Sequence, residues 1–190
     1  MAKKAGQAAA VVAADVPATG ASAPAPEHAK DANDVLLVAI RIRGDVKKNI
    51  DIKKTMGLLR LHHKHHAALV RASPAINGML FKCKDTIAYG VIDKETLVAL
   101  LKKKAKLTGR RVLDEASLKN LTGHASYEAL ADALLKGEVK YHELHKQIVP
   151  IFRLHPARGG FDKGIKVSYQ QGGVLGYQGS GINKLLARMI

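Results

Sequence analysis

The sequence predicts an α+β fold in which a small sheet carries packed helices. Strand and helix patterns alternate in the order strand, helix, strand, helix across residues 35–90, and the apolar spacing switches between a period of two and one near 3.6 as those elements require. A folded region of about 150 residues buries about two-thirds of its unfolded surface, a core large enough to stand without disulfide or metal staples.

Each element has its own signal. Residues 35–40 are uninterruptedly apolar, and Ile40-Arg41-Ile42-Arg43 then alternates, which reads as a buried strand whose end reaches solvent on one face before Gly44 stops it. Asn49 or Asp51 can cap a helix in which Ile52, Met56 and Leu59 recur at helical spacing, while Lys47, Lys48, Lys53, Lys54 and Arg60 fill the rest of its surface. Residues 67–70 make a short second strand. Ser73-Pro74 breaks the chain, and Asn77 opens a second helix with Met79, Leu80, Cys83 and Ile87 inward, Lys82 and Lys84 outward, and Gly90 where a left-handed cap belongs. Asp93, Asp114 and Ser126 open three further helices, the last two closed by Gly123 and Gly137. Residues 148–154 read as a strand that Pro150 confines to an edge or to a start beyond the proline. Eight of the 17 glycines then fall within 156–181, and Ile182, Leu185, Leu186 and Met189 mark a closing helix.

Residues 1–33 are rich in Ala and Pro with no aromatic side chain, too little apolar bulk to offset ordering entropy, and are expected to be a disordered tail. Its run of small residues makes a poor secretory signal, because Asp15 and Pro17 interrupt the approach to the Ala21-Ser22-Ala23 site. No apolar stretch is long enough to span a bilayer as a helix. The single cysteine, Cys83, cannot form an internal disulfide, which suits a reducing cytoplasm.

Charge narrows the function. The chain carries 31 Lys and Arg against 16 Asp and Glu, a formal +15, and the tail contributes none of that excess. Residues 34–84 hold +8, 85–150 only +2, and 151–190 +5, so two basic ends flank a nearly balanced middle. Two such stretches meeting on one face are the electrostatic footprint of a polyanion. Arg41, Arg43, Arg60, Arg153 and Arg158 would position phosphates through planar forks, with Lys47, Lys53, Lys82, Lys163 and Lys166 adding affinity. With eight aromatics and no Trp, extensive base stacking is not expected, although Tyr169 and Tyr177 could each stack one base.

Motifs for chemistry fall short. His62, His63, His65 and His66 lie within five positions, but no carboxylate joins them and Lys64 sits in their midst, so they read as a helix-to-strand junction among phosphates, not a metal site. His142-Glu143-Leu144-His145 is one residue short of the zinc-protease spacing. Gly176 to Gly181 has the gap of a phosphate loop, but Ile182 stands where its lysine is required. Cys83 at an inward position reads as packing. No catalytic residue, metal or cofactor is expected, and no small-molecule substrate.

The blocks VLLVAIRIRG, TMGLLRLHHKHHAALV, NGMLFKCKDTIAYG, IDKETLVALLKKKAKLTGRR and IFRLHPARGGFDKGIKVSYQQGGVLGYQGSGINKLLARM, in that order over residues 34–190, resemble the large-subunit ribosomal protein thirty family in its long archaeal form, whose eukaryotic counterpart is large-subunit protein seven. The resemblance implies a ferredoxin-like core (34–90 and 148–155) with two helices on a small antiparallel sheet, a helical insertion (91–147) and a glycine-rich basic extension (156–190) lying over rRNA. By matched motif it adds His62, His63 and His155 to the RNA-facing candidates and supports Arg41, Arg43, Arg60, Lys82, Arg153 and Arg158. It implies a structural, non-enzymatic constituent of the cytoplasmic large ribosomal subunit, partnered by rRNA and neighbouring subunit proteins. The alternative is a transient RNA-binding assembly factor.

Overall fold

The structure, a computed structural model, describes residues 35–190 except 110, 125, 147, 162 and 163. The expected tail and the candidate Lys163 therefore lie outside the described residues. A five-stranded sheet in the order β4-β2-β1-β3-β5 is built from β1 (Leu36–Arg41), β2 (His66–Arg71), β3 (Ile87–Val91), β4 (Phe152–Arg153) and β5 (Gly176–Tyr177). Its first three pairings are antiparallel and the last, β3 with β5, is parallel.

Alternation along β1 divides the core. Leu37 and Ala39 join Met56, Leu59, Leu80 and Cys83 beneath α1 (Ile50–Leu58) and α2 (Pro74–Lys82). Leu36, Val38, Ile40 and Ile42 face the opposite way, onto α3 (Lys94–Lys104), α4 (Glu115–Thr122), α5 (Tyr127–Lys136) and α6 (Ile182–Met189). Helices thus cover both faces of the sheet, and what remains to meet a ligand is its ends and edges.

The capping signals set the helices. Asn49, not Asp51, caps α1 by accepting from the Asp51 amide at 3.3 Å. The caps expected at Asp93, Asp114, Ser126, Gly123 and Gly137 all stand where α3, α4 and α5 begin or end. In the α2 region the structure departs from expectation. Ser73 accepts from the Ile76 amide at 3.2 Å, so the helix starts at Pro74, three residues before Asn77, and stops at Lys82. Ile87 lies in β3, and Gly90 is a strand residue opposite Val38, not a helix cap. Of the strand expected over 148–154, only Phe152 and Arg153 pair with β2, beyond Pro150.

Candidate nucleic-acid interface

The C-terminal end of β1, the N-terminal ends of β2 and β3 and the C-terminal end of β4 lie at one end of the sheet, as the register pairs Ile40 with Ala67, Arg41 with Ile87, and His66 with Arg153. Arg41 at this end is not the RNA-facing residue expected: it is 3% exposed. A buried guanidinium needs acceptors, and it finds them by donating to the carbonyls of Leu61 (2.8 Å), His62 (2.6 Å) and Arg43 (2.9 Å) and pairing with Asp45. The His65 amide donates back to the Arg41 carbonyl at 2.8 Å. Arg41 therefore binds the 61–65 loop to the sheet and, through it, places His62 and His63 in solvent. Three non-glycine residues with positive φ, Lys47, Arg60 and His65, lie in the connections that flank it.

The four histidines divide by side. His62 and His63 are exposed, whereas His66 is 9% exposed with the His63 ring edge-on at 5.1 Å. Burial, then the neighbouring His63, Arg153, His62 and Arg41, lowers the His66 pKa to about 4. Burial and Lys64 also lower that of His65. Their Nδ1 atoms have no hydrogen-bond partner among the described residues. Positive charge here near neutral pH thus comes from arginine and lysine, not from His66. Among the described residues no group of three or more His, Cys, Asp or Glu is arranged to hold a metal ion.

The C-terminal stretch supplies the other half. Arg153, His155 and Arg158 are exposed, with the His155 and Arg158 amides donating at 3.0 Å to the Met189 and Arg188 carbonyls at the end of α6. Arg158 faces lysines that sequence reasoning missed: α3 runs back toward the same end, and Lys103, Lys106 and Arg158 together, after burial, lower the Lys104 pKa. Those lysines stand in the nearly balanced middle of the chain, where block charge gives no hint of them.

A cleft of about 650 Å³ opens beside the β3–β5 edge, lined by Arg43, Lys48, Phe81, Lys84, Asp85, Lys166, Tyr169 and Tyr177 among others. The structure thus brings together four of the expected residues, Arg43, Lys166, Tyr169 and Tyr177. Lys48, Lys84 and Phe81 were not expected there; the Lys84 ammonium stands 4.2 Å over the Phe81 ring. Tyr177 is half-buried against Tyr89 at 5.5 Å, which occupies one of its faces, whereas Tyr169 is 43% exposed. Gly172, at φ 83, ends the turn Tyr169–Gln171 and lets the chain reverse so that the Tyr169 amide donates to the Leu175 carbonyl at 2.8 Å.

Not every candidate converges. Arg60 lines a separate groove of about 510 Å³ with Leu58, Val70, Ser73, Lys140 and Pro150, at the opposite edge of the sheet. Lys47, Lys53 and Lys82 are exposed but line neither hollow.

Comparison with known proteins matches residues 37–87 to the family described as ribosomal protein L30p/L7e. Three archaeal proteins named large ribosomal subunit protein uL30 align over most of the chain. The protein of Methanoculleus marisnigri is 44% identical over 81% of this chain and 99% of its own length. Those of Hyperthermus butylicus and Thermoplasma volcanium are each 44% identical over 82% of this chain, covering 90% and 93% of their own lengths.

Proposed function

Because the chain belongs to the ribosomal protein L30p/L7e family, we propose that it is a structural constituent of the large ribosomal subunit whose basic surface binds and stabilises rRNA. One observation carries the residue-level reading. Arg43, His62 and His63 from the first basic stretch and Arg153, His155 and Arg158 from the last, about ninety or more residues apart in the chain, gather at one end of the sheet or beside it. Arginine forks and lysine ammonium groups there neutralise phosphates where rRNA strands approach, and such contacts fix register without reading sequence. Arg41 serves this surface from behind by holding the loop. The role requires no catalytic step, and its partners are rRNA and neighbouring subunit proteins. The division into a tail (1–33) and an rRNA-binding domain (34–190) belongs to the same proposal, and deletion of the tail is expected to leave the melting temperature unchanged.

A salt series on binding to an rRNA fragment tests the reading. Each phosphate contact steepens the logarithmic salt dependence by about 0.7 to 0.9, so several contacts give a steep slope and a flat one would sink the proposal. Sedimentation through a high-salt sucrose cushion supplies the second arm: a constituent stays with the large subunit, and an assembly factor washes off.

A further inference from the structure

The cleft at the β3–β5 edge has features that a phosphate-binding surface does not require. An RNA duplex is convex and is met by exposed cations, whereas this hollow is concave and its volume falls in the range of small-ligand sites. It also holds exposed aromatic rings: Phe81 is 41% exposed, with the Lys84 ammonium over one face, and Tyr169 is 43% exposed, in a chain with few aromatic residues. The hydroxyl end of Tyr169 lies against Gly181, in the space that a Cβ there would fill. Cations stand around these rings at Arg43, Lys48, Lys84 and Lys166, with one carboxylate, Asp85, whose backbone carbonyl accepts from Arg43 at 3.2 Å. Aromatic planes beside phosphate-binding cations are the chemistry that recognises an unstacked nucleotide.

We propose that this cleft seats one unpaired nucleotide of RNA, its base stacked on the exposed rings of Tyr169 and Phe81 and its flanking phosphates among Arg43, Lys48, Lys84 and Lys166. The proposal rests on the RNA-binding reading and adds to it a site for an extruded base. A free nucleotide offers the same chemistry, but the cations outnumber what a single phosphate needs and suit a continuing strand.

The test uses the full chain with three probes: a short RNA hairpin carrying one bulged 2-aminopurine, the same hairpin fully paired, and adenosine monophosphate. Base stacking predicts that the bulged hairpin binds about 5- to 100-fold more tightly than the paired one, with its fluorescence quenched on binding. Tyr169→Leu and Phe81→Leu are expected to remove that preference and the quenching, and Tyr169→Phe to keep both, which separates loss of stacking from loss of folding. Equal, salt-dependent binding of the two hairpins by the wild-type chain, or a preference that survives Tyr169→Leu, would overturn the seat and leave the RNA-binding reading in place. Failure of both hairpins to bind would overturn both. Binding of the mononucleotide as tight as that of the bulged hairpin would overturn RNA as the source of the nucleotide.

Discussion

The guanidinium of Arg41 donates at 2.8 Å to the carbonyl oxygen of Leu61, twenty positions further along the chain. That bond and its neighbour to His62 join the end of β1 to the loop that enters β2, and they make the most buried arginine at the basic end a structural one. Arg43, two residues on and half-exposed, lines the cleft instead. The 61–65 loop, which covers Arg41 and not Arg43, thus divides two arginines of the same motif into a fastener and a contact.

The two should respond differently to truncation. Arg41→Ala leaves the Leu61 and His62 carbonyls without their donor and is expected to lower the unfolding free energy by about 2–3 kcal/mol, read from the urea midpoint at constant m. Arg43→Ala should change stability by less than about 0.5 kcal/mol while reducing the salt slope of RNA binding by about one unit. Comparable losses of stability in the two variants would show that Arg41 is not the fastener.

His66 makes stability depend on pH. Its pKa falls from 6.5 to about 4 on folding, so between those values the unfolded chain binds a proton that the folded chain does not. The contribution of His66 to the unfolding free energy is therefore constant above that window, falls as pH drops through it, and levels off below about 4. His65, lowered in the same direction, adds to the fall. Because the ring lies beneath an exposed loop, the loss from His66 is expected to be about 1–2 kcal/mol, smaller than full burial would give. Urea unfolding of wild type and His66→Gln near neutral pH and at about pH 5 checks this: the variant should lose less, and parallel losses would assign the acid sensitivity elsewhere.

What could be read from the sequence and what could not follows from the range of the interactions. The caps and the 3.6 period of α3, α4 and α5 are local, and Asp93, Asp114, Ser126, Gly123 and Gly137 sit where those signals put them. The strand β3 was hidden because Leu80, Cys83 and Ile87 keep helical spacing; burial against α1 and α2 satisfies Ile87 equally as a strand residue, and only the turn after Cys83 distinguishes the two. Arg41 looked exposed because alternation assigns a face but not what covers it. The cleft was partly legible: Tyr169 and Lys166 stand out beside glycines, whereas Phe81 and Lys84 reach them only through the pairing of β3 with β5, Ala88 against Gly176.

Gly90 is where that pairing is most exposed to substitution. A Cβ there would press into the backbone carbonyl oxygen of Gly179 and come within 3.1 Å of Ile182 Cβ. A backbone atom cannot swing aside as a side-chain end can, so Gly90→Ala is expected to cost more than about 2 kcal/mol. Hydrogen exchange should show the loss concentrated at β5 and the start of α6, with the β1–β2 pairing less affected. Retained protection at the Gln178 amide, which donates to the Tyr89 carbonyl at 2.9 Å, would mean that the extension tolerates the methyl group.

Tyr141 offers a substitution expected to stabilise. Its ring is 3% exposed and stacks on Phe152 at 5.0 Å and 18°, yet its hydroxyl has no hydrogen-bond partner among the described residues. Burial pushes the phenol pKa far up, so the group stays a neutral donor with nothing to receive its proton. Phenylalanine keeps the stack and removes the unsatisfied group, which should raise stability by about 1 kcal/mol and the melting temperature by about 2–4 °C. RNA affinity should not change, because Tyr141 is buried and does not line the cleft. A fall in melting temperature for Tyr141→Phe would show that the hydroxyl is satisfied in solution, by water or by a local rearrangement, and that its isolation does not weaken the fold.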